Sequence, residues 1–398
     1  MNDDGGVILS TGAGAVITAP RRSVSRRRFQ GIDLVLVGVS AALSLLGVVM
    51  VYTATRGALL ATGLSPTYYL KRQLVWVALG LVAMVVMAVL DYRRLESLGM
   101  AVYGLFIFLL LAVLVPGLGK HALGSQRWFS LGPLQIQPSE FAVLALILAI
   151  ATYCSRRREG LAWPDVLRVL VMGALPIALV IVQPDLGTGI IMAIVLLVML
   201  AVAGLPTRIL VLLIVGAVVV VVLALASGLL HHYQITRITS FLHQDSSNPS
   251  KAEQTALYNL TQAKNAIGAG GFWGTGLLHG AQTNLGYVPE QQTDFIFTAV
   301  GEQLGFVGSS IVLALLGLVA WRVLRAAQLA RDSFGRLLCA GIFTFLAFST
   351  FQNAGMSMGI MPITGIPLPF ISYGGSAVLC FFIGVGVVVS VRRHRMPS

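Results

Sequence analysis

Charge is scarce in this chain. Only 11% of its residues are Asp, Glu, Lys or Arg, against about 25% in a soluble domain. That excludes an ordinary water-soluble globule. Cysteine is nearly absent: Cys154, Cys339 and Cys380 all fall in or beside apolar stretches. Their spacing suits neither a disulfide framework nor a zinc site. The six histidines form no metal-binding pattern, and the glycine cluster from Gly268 to Gly280 does not follow a strand and open a helix as a phosphate-binding loop does. Nucleotide chemistry is therefore not expected, and a substrate must carry its own activation.

What is abundant is apolar sequence. The chain is 57% hydrophobic with mean hydropathy +0.86. About 20 apolar residues cross a bilayer core of about 30 Å. Ten such runs are predicted, near 32–54, 72–90, 98–116, 138–154, 166–182, 186–203, 207–229, 296–322, 336–358 and 372–391. The expected fold is all-α and polytopic. One long extracytoplasmic loop, about 230–295, joins helices 7 and 8. Residues 1–30 are expected to be a disordered basic tail, 31–392 a membrane domain and 393–398 a second tail.

With the N-terminus inside, nineteen of the 27 basic residues fall on the cytoplasmic side, all of them Arg, and eight fall outside. This is the positive-inside bias. The net charge of +12 then reflects topology and contact with anionic membrane lipids. It does not indicate nucleic acid, because the basic residues are dispersed over many short loops. No cleavable signal peptide is expected, since the run after Arg28 is too long for one.

Four stretches break the apolar pattern on the outer side: 117–140, 183–188, 230–302 and 359–375. In the third, Pro289-Glu290-Gln291-Gln292-Thr293-Asp294 leads into an apolar helix that holds Glu302. A helix starting near Thr293 places Glu302 about 12 Å deeper than Asp294 and about 80° around the helix, so the two can share a face. Carboxylates at membrane depth are by default functional. The plainer readings are an N-cap for Asp294 and a structural contact to a helix end for Glu302. Glu140 follows Gln137-Pro138-Ser139, and Asp185 follows Gln183-Pro184. Each fits a helix start equally well. Together the four are expected to line one polar cavity. Trp128, after Arg127, is read either as an interfacial belt residue or as a sugar-stacking platform. In the fourth stretch three prolines in eight residues, Pro362 to Pro369, rule out regular helix. Such backbone at membrane depth must be buried or wall a cavity.

These motifs resemble a known family. Asn259-x-x-Gln262 followed by Ile267-Gly268-x-Gly270-Gly271, then Pro289-Glu290-Gln291-x-Thr293-Asp294-Phe295, and Pro362-x-Thr364-Gly365-Ile366-Pro367-Leu368-Pro369 are similar to the shape, elongation, division and sporulation (SEDS) proteins. The flavour is closer to the elongation, RodA-like branch. The resemblance implies a ten-helix peptidoglycan glycosyltransferase that polymerises lipid II on the outer face of the plasma membrane. It implies a class B penicillin-binding transpeptidase and other elongation-complex membrane proteins as partners. It also implies Asp294 as the essential residue and Trp128 as an important one. One departure is Val143, where the family usually has Lys.

The chemistry so implied needs a base within about 3 Å of the acceptor hydroxyl, for which Asp294 is the candidate. It needs positive charge for a pyrophosphate, for which Arg127, Arg237 and Lys264 are candidates. Glu140, Asp185, Gln262, Glu290, Glu302 and Trp128 complete the expected substrate-binding set. No particular cofactor is indicated, and a divalent cation, magnesium or manganese, bridged by carboxylates would fit. The alternative reading is a transporter that flips a lipid-linked precursor.

Overall fold

The computed structural model describes residues 33–116, 119–122, 125–131, 134–157, 160–226, 237, 239–241, 244 and 251–394. The expected N-terminal tail therefore lies outside the described residues, as do residues 395–398 at the other end. Among the described residues the helices are α1 (Leu34–Ala61), α2 (Tyr68–Val89), α3 (Arg93–Leu114), α4 (Pro138–Ser155), α5 (Trp163–Val182), α6 (Leu186–Val202), α7 (Thr207–Ala226), α8 (Lys251–Ala269), α9 (Ala281–Asn284), α10 (Ile296–Gln328), α11 (Ser333–Met358) and α12 (Gly375–Arg393). Eight of them are long and apolar enough to cross a membrane, and α6 and the Thr207–Val220 stretch of α7 are shorter apolar segments. The protein is a multi-pass membrane protein whose ten apolar helices among the described residues follow the ten predicted runs to within a few residues, apart from longer C-terminal ends of α1 and α10.

The helix ends are written in the sequence. Asp33 caps α1 through the Leu36 amide at 3.1 Å, Pro138 occupies the first turn of α4, and Asp332 caps α11 through the Gly335 amide at 2.7 Å. Helices α4, α11 and α12 bury most of their surface and form the centre of the bundle, while α2, α3 and α5 turn most of theirs outward. At the arginine-rich end the Asp33 carboxylate is fully buried between Arg322, at 2.7 Å, and Arg392. This fastens the start of α1 to the ends of α10 and α12.

Two features go beyond the ten expected helices, both at the opposite end. A small antiparallel sheet, β1 (Lys120–Ala122), β2 (Ser125–Leu131) and β3 (Leu134–Ile136), runs in the order β1-β2-β3 between α3 and α4. The long loop also contains α8. Its buried Leu260, Ala263 and Ala266 recur at helical spacing, and the two alanines pack with Val288, Phe295 and Ile363.

Helix α10 is interrupted at Gly305, whose φ of 65° and ψ of −165° are not helical. The loop after α8 supplies bonds that the break leaves open. The amides of Phe306 and Val307 donate to Gly271 O and Phe272 O at 2.9 and 3.2 Å. The amides of Thr275 and Gly276 donate to Glu302 O and Gln303 O at 2.9 and 3.1 Å. Any side chain at Gly305 would place its Cβ 2.2 Å from Gly274 N.

Candidate active site

At the sheet end lies a cavity of about 340 Å³. Its wall draws on β2, the first turns of α4, α6 and α12, the turn before α10, and the segment between α11 and α12. That segment, residues 359–374, is non-helical and buries Ile366, Leu368, Phe370 and Ile371. It reaches the cavity through Thr364 to Pro367 and Tyr373, as its proline content requires.

Asp294 is half-buried in this wall, in the tight turn that precedes α10. The turn is closed by the amides of Thr293 and Asp294 donating to Glu290 O at 3.2 and 3.1 Å. It is pinned to the proline segment by the Ser372 hydroxyl donating to Thr293 O at 2.7 Å and by the Tyr373 amide donating to Gln292 O at 2.8 Å. Desolvation in the cavity pushes the Asp294 carboxyl up to about 6, with the Arg237 guanidinium pulling it down and Glu290 adding to the rise. Gly365, at φ +75°, leaves the room that the carboxylate occupies, since a Cβ there would lie 3.1 Å from Asp294 Oδ2 and 3.7 Å from Arg237 Nη1.

Arg127 spans from β2 to the turn before α6. Its Nε donates to Gln183 O at 2.7 Å and its Nη2 to Pro184 O. Asp185 caps α6 and accepts from Thr188 Oγ1, Gln137 Nε2 and Ser139 Oγ at 2.9, 2.9 and 3.0 Å. Glu140 also reaches the cavity, beside Val143. Its Oε2 is buried and has no hydrogen-bond partner. Among the described residues no three His, Cys, Asp or Glu groups are arranged to hold a metal ion.

The chain matches the cell cycle protein family of FtsW, RodA and SpoVE over residues 33–396. It is 40% identical over 337 residues to the peptidoglycan glycosyltransferase MrdB of Escherichia coli (strain K12), covering 82% of this chain and 86% of that one. It is 35% identical over 365 residues to stage V sporulation protein E of Bacillus subtilis, covering 91% and 97%. The chain belongs to this family. Its fold is similar to that of Thermus thermophilus rod shape determining protein RodA, with TM-score 0.68, 30% identity, and 93% and 99% of the two chains covered. It is also similar to a chain of a peptidoglycan synthase complex that coordinates polymerization and crosslinking, with TM-score 0.77, 30% identity, and 93% and 100% covered.

For this family member the cavity brings together Asp294, Glu290, Asp185, Glu140, Arg127, Arg237 and Trp128. Three residues of the expected set are placed elsewhere. Glu302 is fully buried and accepts from the amides of Gln282 and Thr283 at 2.8 and 2.9 Å and from Thr283 Oγ1 at 2.6 Å. It caps α9 instead of sharing a cavity face with Asp294, because the helix begins at Ile296 and Asp294 sits in the turn before it. Lys264 is exposed on α8 and donates to Gln244 Oε1 at 2.8 Å. Gln262, half-buried on the same helix, is outside the cavity wall. The wall also holds residues outside the expected set, Arg72 and Tyr373 among them. Arg72 lies 4.4 Å above the Tyr68 ring, and Tyr373 packs edge-on against Tyr69 at 5.0 Å. The signal for Arg72 was its place in Lys71-Arg72 at the mouth of a span, which the topology count absorbed.

Proposed function

We propose that this chain, a peptidoglycan glycosyltransferase, polymerises lipid II at the outer face of the plasma membrane, with Asp294 as general base. The observation that carries this reading is the placement of Asp294, a carboxylate desolvated in a polar cavity beside Arg237. A base poised near 6 is largely ionised at neutral pH and still holds a proton well enough to accept one in the transition state.

In the proposed step Asp294 takes the proton of an acceptor sugar hydroxyl. That oxygen bonds to the donor sugar's anomeric carbon. The bond from this carbon to pyrophosphate breaks, and the prenyl pyrophosphate leaves with the electron pair. Arg237 and Arg72, both in the cavity wall, are the cations this reading assigns to the departing charge. Arg127 is largely committed to the 183–184 carbonyls and shapes the wall. The arginine bias supports a cytoplasmic N-terminus, which turns the cavity outward. The likeness to a chain of a peptidoglycan synthase complex supports a class B penicillin-binding transpeptidase as partner. Other elongation-complex membrane proteins are part of the same reading.

The flippase reading draws support from the break at Gly305 and the non-helical 359–374 segment. The clustering of the carboxylates at one end, away from the bundle middle, favours the polymerase. The test is a detergent assay with purified protein, its transpeptidase partner and fluorescent lipid II, where polymer forms without two compartments. Asp294→Asn is expected to lose 10²–10⁴-fold in rate. Unchanged rate and product length in that variant would sink the base assignment.

A further inference from the structure

Between Lys264 and Glu290 the chain runs through 265–289 without a single Asp, Glu, Lys or Arg. The middle of this stretch is also where the protein exposes its most prominent aromatic surface. Trp273 is 77% exposed and Phe306, across the break in α10, 62%. Phe272, also exposed, joins them, stacking on Phe306 at 5.7 Å and meeting Trp273 edge-on at 5.1 Å.

Depth decides what such a surface faces. From Phe306 to Arg322, the first charge toward the arginine-rich end, is sixteen residues, or about 24 Å of helix. The hydrocarbon core is about 30 Å thick. With Arg322 drawn to Asp33 at its own end, the three rings fall at the opposite edge of the core. Phe306 continues along α10 into exposed Ile311, part of the apolar surface of the bundle. The loop's backbone is helped to rest at that depth because the amides of Thr275 and Gly276 and the carbonyls of Gly271 and Phe272 are bonded to the broken turn of α10. Trp favours this boundary, and Phe beside it supplies apolar area on the acyl side.

We infer that the loop Gly270–Gly280, together with Phe306, is an anchor seated in the acyl–headgroup boundary of a phospholipid bilayer. It fixes the depth of the first half of α10, which has Asp294 two residues before its start. A protein surface covering the same rings is the competing occupant.

The test uses the full chain and the W273F variant in phosphatidylcholine nanodiscs. The lipid carries bromine at acyl carbons 6,7 or 11,12, and the wild-type-minus-variant emission isolates Trp273 among the five tryptophans. The expected result is at least a twofold loss of that emission with 6,7-bromolipid, a smaller loss with 11,12-bromolipid and little effect of aqueous iodide. Emission that bromolipid leaves unchanged overturns the inference. Phe306→Trp in the W273F background gives a second reporter on the same surface and is read by the same criterion. Neither measurement depends on activity, so it stands or falls apart from the role of Asp294.

Discussion

The side-chain amide of Asn353 donates to the main-chain carbonyl of Asp294 at 2.7 Å. The same nitrogen donates to Ile366 O at 2.7 Å. One fully buried side chain of α11 thus ties the turn holding the proposed base to the proline segment opposite it. Asn353→Ala is expected to lower turnover about tenfold, the equivalent of about 1.4 kcal/mol of misplacement, with a smaller change in KM. It should also cost about 1–3 kcal/mol of stability through two orphaned carbonyls. Polymerisation kinetics and thermal melting check both. Wild-type turnover in this variant would mean that Asp294 is positioned by other contacts.

The pH profile should report Asp294 directly. A base works ionised, so the rate is expected to rise as pH passes through about 6 and to level off above it. The folded-state pKa lies above the ordinary carboxylate value. The folded state therefore favours the protonated acid, and the stability this gives is lost as pH rises through 6. Arg237→Gln removes the cation that pulls the group down and should move the acidic limb to higher pH. A limb that stays in place in that variant would detach Arg237 from Asp294.

Gly365→Ala tests the room around the carboxylate. The new methyl would crowd Asp294 Oδ2, and φ of +75° is costly for any L side chain. A loss of about 1–2 kcal/mol in stability and of at least tenfold in rate is expected, read by melting and by the lipid II assay.

Glu302→Gln separates structure from chemistry. Its carboxylate accepts three hydrogen bonds at the start of α9, and charge-assisted bonds of this kind contribute about 1.5–3 kcal/mol each. A lower melting temperature is expected with the acidic limb of the rate profile unmoved. A shifted limb would return Glu302 to the reaction.

The bundle was legible because hydropathy over twenty residues is a strong signal, and caps such as Asp33, Pro138 and Asp185 announce helix starts. The sheet was not, because the three-residue strands β1 and β3 are too short to show alternation. Helix α8 hid for a different reason. Its polar face gives it little hydropathy, and only the spacing of Leu260, Ala263 and Ala266 betrays the buried side. At the cavity, Asp294 could be named from its setting beside apolar sequence. Glu302 could not be assigned, because a carboxylate's partner is a tertiary fact: amides some twenty residues earlier in the chain. Arg72 shows the same limit from the other side. A basic residue at a span boundary carries the same sequence signal whether it orients the helix or faces a cavity.

The order in which the chain is made gives the cavity one more property. Its wall begins with Arg72 on α2 and ends with Phe381 on α12. During synthesis the first wall residues wait through almost the whole chain for the last. A chain that has inserted every span but α12 therefore lacks the part of the wall from Gly375 to Phe381. On the proposed reading, the site is complete only once the final helix is in the membrane.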